Sequence, residues 1–165
     1  MVKTAGYDLG ILTETKIGND IYTKSHLGYS IKCSKAEPGP NGGAQGGVAL
    51  IEKEDPEGWH TESLVFHGPN VLSCIIVSGK KRTPLVGGYL PPSTLVHLPQ
   101  LGAALDRFAG RKTVFIGDLN ADLHDVSTER NQEVADCVAS YGLFDMLPHF
   151  QQQRRFHHMT TWWQV

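Results

Sequence analysis

The sequence predicts a mixed α/β domain in which layers of mostly antiparallel sheet are flanked by helices. Short apolar runs rich in β-branched residues recur along the chain, and Gly, Pro and Asn separate them. Two further segments carry apolar residues at helical spacing. Many connections are short and every sheet face needs a cover, so we expect the helices to pack on the sheets. At 165 residues the chain suits a single domain over residues 1–165, because domains most often run to about 100–150 residues.

Six apolar runs predict strands, because each is short and bounded by turn-forming residues. They cover residues 9–13, 47–51, 63–66, 71–77, 85–89 and 113–116. Between the first two of them, residues 35–47 hold Pro38, Pro40 and five glycines. That composition predicts a surface loop between strands.

Two apolar stripes at helical spacing predict helices. The stripes consist of Leu98, Leu101, Leu105 and Phe108, and of Val134, Cys137, Val138 and Tyr141. Pro99 lies near the start of the first helix and Gly110 just beyond its end, which is the usual asymmetry of helix termini. Ser127 or Thr128 is the expected N-cap of the second helix, and Gly142 its stop.

The charge balance identifies no partner. Fifteen Lys and Arg residues stand against 17 Asp and Glu residues, for a formal net charge of -2. Binding that depended mainly on neutralising phosphates would require an excess of Lys and Arg. The charges are uneven, because six acidic residues between positions 121 and 145 are accompanied only by Arg130. Such acidic runs are most often solvated faces.

We expect an intracellular protein with no membrane segment and no secretion signal. No apolar run approaches the roughly 20 residues needed to cross a bilayer, and the first eight residues lack the apolar core of a secretory signal. Cys33, Cys74 and Cys137 are odd in number and too far apart for a metal knuckle. They fit small buried side chains in a reducing compartment.

A cluster of short polar side chains follows the strand predicted at 113–116. Asp118 offers a carboxylate that could ligate a hard cation or take a proton, and Asn120 offers an amide that could hold a phosphoryl oxygen or a water. Strand ends are where rigid scaffolds present catalytic groups. The alternative is an Asx turn that leads the chain out of the strand.

Two more strand ends carry polar groups. Glu14 follows the first predicted strand, where the alternative is a solvated strand terminus. Next to Asp118 it would complete a two-carboxylate oxygen site suited to Mg²⁺. Tyr89 ends the strand at 85–89 and two prolines follow it. A tyrosine so placed either packs at the rim of the core or binds phosphate.

Five short motifs in order resemble the endonuclease/exonuclease/phosphatase superfamily, and within it the endonuclease domain of non-LTR retrotransposon polyproteins. The motifs lie at residues 12–16 (LTETK), 46–49 (GGVA), 89–93 (YLPPS), 117–122 (GDLNAD) and 161–163 (TWW). The resemblance implies a four-layer α/β sandwich of the DNase I-like type, with two sheets packed face to face and helices outside. It also implies metal-dependent cleavage of a phosphodiester.

The resemblance assigns a role to each matched residue. Glu14 would hold Mg²⁺, with Mn²⁺ as the alternative ion, and Tyr89 would hydrogen-bond the scissile phosphate. Asp118 would orient and activate the attacking water, and Asn120 would stabilise the phosphorane-like transition state. Thr161, with Asn120 and Tyr89, would contact DNA. Such chemistry needs a cation and a positioned water, and no nucleophilic side chain.

The chain departs from the family at both ends. Family members begin with a strand that carries a metal-proximal Asn, and the matched region here starts after it. They end with an Asp-bearing strand and a Ser-Asp-His motif, neither of which follows residues 161–163. We therefore expect a domain incomplete at both ends, with DNA cleavage weak or absent in the isolated chain.

Two other functions stay open from the sequence. The low Lys and Arg content suits a non-catalytic remnant that keeps the fold and binds a protein or nucleic acid without turnover. Within the enzyme class, the substrate could instead be an inositol phosphate or a phospholipid headgroup. In the retroelement case, the resemblance implies a DNA substrate, fusion to a reverse transcriptase and a location in the nucleus.

Overall fold

The computed structural model describes residues 8–18, 22–39, 42–145 and 160–164. Within them it contains two main sheets, one short hairpin and two helices. The helices are α1 (Leu98–Asp106) and α2 (Glu129–Ser140). The strands are β1 (Leu9–Thr13), β2 (Tyr22–His26), β3 (Tyr29–Cys33), β4 (Glu37–Pro38), β5 (Ala44–Gln45), β6 (Val48–Lys53), β7 (Trp59–Phe66), β8 (Val71–Ser78), β9 (Lys81–Tyr89), β10 (Val114–Asp118), β11 (Leu143–Asp145) and β12 (Thr160–Gln164).

The larger sheet has six strands in the order β11-β12-β10-β9-β8-β7. Neighbouring strands pair antiparallel except β9 and β10, which pair parallel. Helix α1 lies between these two strands in the sequence, because parallel neighbours need a crossover connection. The parallel register sets the last residues of the two strands, Tyr89 and Asp118, side by side.

The smaller sheet has four strands in the order β1-β6-β3-β2, all antiparallel. Strands β2 and β3 form a hairpin whose turn residues Leu27 and Gly28 have positive φ angles of 52° and 78°. Two positive φ angles match the twist of a two-residue hairpin. Our sequence prediction missed both strands, because β2 is mostly polar and because polar and apolar residues alternate along Tyr29–Cys33 without a continuous apolar run.

Residues 35–47 were predicted as a loop, and that prediction is wrong in part. Glu37–Pro38 pairs antiparallel with Ala44–Gln45 to form a small separate hairpin. A ladder of two residues has no period that a sequence pattern could reveal. Both strands of the hairpin lie near the start of β6. The hairpin is therefore at the same end of the molecule as Tyr89.

Two apolar cores lie on opposite faces of the six-stranded sheet. Alternation along β8 divides its side chains between them, since successive residues of a strand point to opposite faces. Leu72 and Cys74 belong to the core between the two sheets. Val71 and Ile75 belong to the core beneath the helices. Every one of these four side chains is buried.

Both helices pack on the outer face of the six-stranded sheet. Leu101 and Leu105 from α1 share one core with Val134 and Val138 from α2. Thr128 is the N-cap of α2 and accepts a hydrogen bond from the Asn131 amide at 3.2 Å. Of the four layers that the resemblance implies, the described residues therefore form three: one layer of helices and two sheets.

The six predicted strands and two predicted helices are confirmed. Cys33 and Cys74 are buried, Cys137 is half-buried, and all three are free thiols. In the part of the chain that the structure describes, no helix is both long and apolar enough to cross a membrane.

Candidate active site

Three strands from the two sheets end at one place. The phenolic hydroxyl of Tyr89, at the end of β9, donates a hydrogen bond to Oε1 of Glu14, just beyond β1, over 2.5 Å. Asp118 is the register partner of Tyr89 in the neighbouring strand β10. The three residues that the sequence singled out at separate strand ends therefore form one cluster.

Tyr89 is buried at the floor of this cluster, with 5% of its surface exposed. Burial raises the pKa of Tyr89 well above its ordinary range. The hydrogen bond to Glu14 and the negative charges of Glu14 and Asp118 raise this pKa further, while the charge of Arg130 opposes them. The phenol thus stays protonated at neutral pH and serves as a hydrogen-bond donor.

The backbone around Glu14 is held by the residues before β6. The amides of Thr15 and Lys16 donate to the carbonyls of Gly47 and Gly46 at 3.3 Å and 2.9 Å. Glu14 itself has a φ of 55°, a conformation that costs a non-glycine residue energy. Gly47 has a φ of 93°, and a Cβ there would lie 2.3 Å from Thr15 Oγ1. The glycine-rich segment is thus a fitted support for Glu14.

Asn70 connects this support to the end of β9. Its side-chain Oδ1 accepts a hydrogen bond from the Gly47 amide, and its carbonyl accepts one from the Tyr89 amide, both at 2.8 Å. The residue is buried. Sequence reasoning missed Asn70, because a Pro-Asn pair before a strand indicates only a turn.

Asp118 and Asn120 adopt the Asx turn that the sequence offered as an alternative. The Asn120 amide donates to Oδ1 of Asp118 at 2.9 Å, and Asn120 has a φ of 46°. The Asn120 side-chain amide donates to the Leu90 carbonyl at 3.0 Å. Since Leu90 follows Tyr89, the turn connects Asn120 to both strand ends and sets its side chain in a defined place.

A cleft of about 240 Å³ opens beside Glu14 and Tyr89. Its floor includes Asn70, and the loop between β9 and α1 forms one wall. Buried His97 lies on the far side, with Nε2 3.4 Å from Oε2 of Glu37 in the small hairpin. Of the site residues, Glu14 and Tyr89 line this cleft, whereas Asp118 and Asn120 are not among its lining residues.

The donor set fits a hard, oxygen-preferring cation. Glu14 is exposed on the cleft, and Asp118 is close enough to act on the pKa of Tyr89. Among the described residues no group of three His, Cys, Asp or Glu side chains gathers as a metal cage. Mg²⁺ commonly uses one or two carboxylates, with water and substrate phosphate in the other positions. Glu14 and Asp118 are the residues that could hold such a cation.

Thr161 is placed only through its backbone. It pairs with Ile116 in the ladder between β12 and β10. Its side chain lies outside the description, so its contact with DNA stays a prediction.

No protein-family model matches the sequence, and no curated protein does. Several solved structures are similar in fold, among them an endonuclease domain and a TDP2 protein. The endonuclease domain of TRAS1, a telomere-specific non-LTR retrotransposon, superposes with a TM-score of 0.62 at 16% identity, over 96% of this chain and 73% of that one. A humanized TDP2 from D. rerio superposes with a TM-score of 0.51 at 12% identity, over 97% of this chain and 69% of that one.

These similarities confirm the fold that the five sequence motifs predict. At such low identity they establish architecture, while the site rests on its own geometry. The chain has an α+β fold of the DNase I-like type.

Proposed function

We propose that this chain hydrolyses phosphodiester bonds in DNA with Mg²⁺, or with Mn²⁺ in its place. The observation that carries the proposal is the junction of Glu14, Tyr89 and Asp118 at one end of two packed sheets. These residues stand 75 and 29 positions apart in sequence, so their meeting is a product of the fold. The similarity to the TRAS1 endonuclease domain supports a nuclease over other uses of the same fold.

Each site residue has a separate role in the proposed reaction. Asp118 orients the attacking water and accepts its proton as the water oxygen bonds to phosphorus; the ester P–O bond then breaks, and the leaving alkoxide oxygen takes a proton from solvent. The Asn120 side-chain amide donates to a non-bridging phosphoryl oxygen. Tyr89 has one hydroxyl hydrogen, which it turns from Glu14 to the phosphate when substrate enters. That movement frees Oε1 of Glu14 for the cation. Bound there, Mg²⁺ would supply positive charge against the oxyanion that develops during displacement.

The low net charge of the molecule suits a substrate that is bound through a few local contacts. A net charge of -2 leaves little general attraction for a polyanion, so phosphate binding depends on the site itself and falls with salt. We place the DNA along the cleft, with Thr161 among its contacts. In a retroelement polyprotein the domain would be fused to a reverse transcriptase and act in the nucleus.

Nicking of supercoiled plasmid with Mg²⁺ and with Mn²⁺ tests the proposal. We expect the native chain to form nicked circles at the low rate that the sequence predicts, and Glu14→Gln and Asp118→Asn to form far fewer. Glu54→Gln and Asp55→Asn are the matched controls, since these exposed carboxylates lie after β6, at the opposite end of the sheet. Cleavage that survives both site substitutions would contradict the assignment.

Calorimetric titration with Mg²⁺ separates the proposal from a non-catalytic role. Binding that Glu14→Gln abolishes supports the metal site. No cleavage together with no Glu14-dependent binding favours a remnant that keeps the fold as a binding scaffold. Release of phosphate from inositol phosphates or lipid headgroups, without DNA nicking, would instead assign a different substrate to the same residues.

A further inference from the structure

Arg130 makes an unusual set of contacts in the first turn of α2. Its guanidinium donates to four backbone carbonyls: Nε to Asn120 at 3.0 Å, one terminal nitrogen to Thr94 at 3.0 Å, and the other to Leu119 at 3.0 Å and Leu90 at 3.4 Å. None of these acceptors is a carboxylate. The guanidinium is rigid and planar, so its five N–H groups hold their acceptors in one geometry.

Three of the four carbonyls directly follow site residues, and the fourth, that of Thr94, lies in the loop between β9 and α1. Leu90 directly follows Tyr89, and Leu119 and Asn120 directly follow Asp118. At these points the strands end, so the carbonyls there lack ladder partners among the described strands. Arg130 replaces those partners and ties both strand ends to α2.

The charge of Arg130 also reaches the site. It lowers the pKa of Tyr89, against the larger raising effects of burial and Glu14. Glu129 and Glu133 are acidic neighbours of Arg130 on α2. The guanidinium nevertheless donates hydrogen bonds to the backbone carbonyls that follow Asp118. The sequence signal was weak: Arg130 is the single base in the acidic run from 121 to 145.

We infer that Arg130 is the positioning residue of the site, which holds Tyr89, Asp118 and Asn120 in reacting geometry from behind without touching the substrate. This inference rests on the proposed nuclease function. A displacement of about 1 Å at a reacting group can cost about 100-fold in rate. Loss of Arg130 should therefore lower kcat far more than it raises KM.

The experiment compares Arg130→Ala and Arg130→Lys with a matched arginine elsewhere. Arg107, in the turn after α1, donates to Ser73 Oγ at 2.8 Å and packs over Phe108, away from the site. We expect Arg130→Ala to lower kcat by about 100-fold with KM changed less than threefold, and Arg107→Ala to leave both unchanged. Lysine keeps the positive charge but lacks the planar arrangement of N–H donors. The kcat of Arg130→Lys should therefore lie between those of the native chain and Arg130→Ala. Added methylguanidinium should restore kcat in Arg130→Ala.

Each outcome decides a separate point. If Arg130→Ala and Arg107→Ala lower kcat equally, or if methylguanidinium restores nothing, the positioning role is wrong and the nuclease function stands. If Arg130→Ala does not fold, wild-type kcat in Arg130→Lys overturns the role, and a selective loss of kcat supports it. If the native chain nicks no DNA with either cation, the proposed function fails and the inference falls with it.

Discussion

The Tyr89 hydroxyl and the Glu14 carboxylate form a hydrogen bond of 2.5 Å between the two sheets of the sandwich. Glu14 follows a strand of the four-stranded sheet, and Tyr89 ends a strand of the six-stranded sheet. The hydrogen bond therefore forms only when the two sheets pack against each other, so its presence indicates an assembled site.

Removing the phenol should separate catalysis from stability. We expect Tyr89→Phe to lower the free energy of unfolding by only about 1 kcal/mol, because Glu14 is exposed and water can replace the lost donor. Plasmid nicking should fall sharply, since no hydroxyl remains to bind the phosphate. Urea denaturation and the nicking rate measure the two effects.

The control for that substitution is Tyr141→Phe. The Tyr141 hydroxyl lies 2.9 Å from Asp106 Oδ1 and 3.2 Å from the Gly102 carbonyl, both in α1, and its single hydrogen is shared between these two acceptors. Burial raises the pKa of Tyr141 to about 12. Tyr141 is half-buried, has an acidic partner as Tyr89 does, and lies outside the site. Equal loss of nicking in both variants would show that the effect of Tyr89→Phe is structural.

Gly47→Ala should disrupt the support of Glu14. The new Cβ would lie 2.3 Å from Thr15 Oγ1, at a φ of 93°, so the Thr15 side chain next to Glu14 must turn away and the backbone of residue 47 is strained. We expect a destabilisation of about 1–3 kcal/mol, together with loss of Glu14-dependent Mg²⁺ binding. Thermal melting and calorimetric titration are the measurements.

Gly79→Ala is the matched control for Gly47→Ala. Gly79 also has a positive φ, 56°, but nothing lies within 4 Å of an added Cβ. Gly79→Ala should lower the free energy of unfolding only by the backbone strain, about 1 kcal/mol, and should leave Mg²⁺ binding intact. Unchanged Mg²⁺ binding in Gly47→Ala would mean that the glycine segment does not position Glu14.

His67 should make stability depend on pH. Burial, and then the charge of Arg107, hold the pKa of His67 below its ordinary value of 6.5. The folded state therefore favours neutral His67, which contributes stability that is present above pH 6.5 and lost as pH falls through the lower folded pKa. The neutral ring suits its contact, because a neutral Nε2 can accept from the Ser73 hydroxyl 2.8 Å away while Ser73 Oγ accepts from Arg107.

Melting curves at pH 7.5 and 5.5 test this linkage. We expect the decrease in Tm between these pH values to be smaller in His67→Gln than in the native chain. His60→Gln is the control, because His60 is exposed on the same strand β7. If both variants keep the full decrease, another group causes it.

Thr128→Ala should weaken the start of α2. Its hydroxyl caps the helix by accepting from the Asn131 amide, and loss of such a cap costs about 1 kcal/mol. Thr128→Ser keeps the hydroxyl and should retain nearly full stability in urea. Because Arg130 lies in the same first turn, we also expect the alanine variant to nick DNA more slowly; equal stability of the two variants would contradict the capping role.

Much of the fold follows from local pattern. The apolar runs at β1, β8 and β10 and the stripes of α1 and α2 were recognised because each buries a continuous face against a core. Strand β2 was missed because its residues are mostly polar, and β3 because its polar and apolar residues alternate without a continuous apolar run. The two-residue strands of the small hairpin are too short to carry a period. A local sequence pattern predicts a strand or helix correctly where the burial of the side chains follows from that segment alone.

By itself, the sequence determined which residues end the strands: Glu14, Tyr89, Asp118 and Asn120 were all identified as candidates, with Asn120 in its Asx turn. Tertiary structure alone decided that Glu14 meets Tyr89, that Asn70 joins their supports, and that Arg130 braces both strand ends. These contacts join residues 10 to 75 positions apart. A chain reveals its periodicity over a few neighbouring residues, whereas distant contacts exist only once the two sheets and α2 have packed.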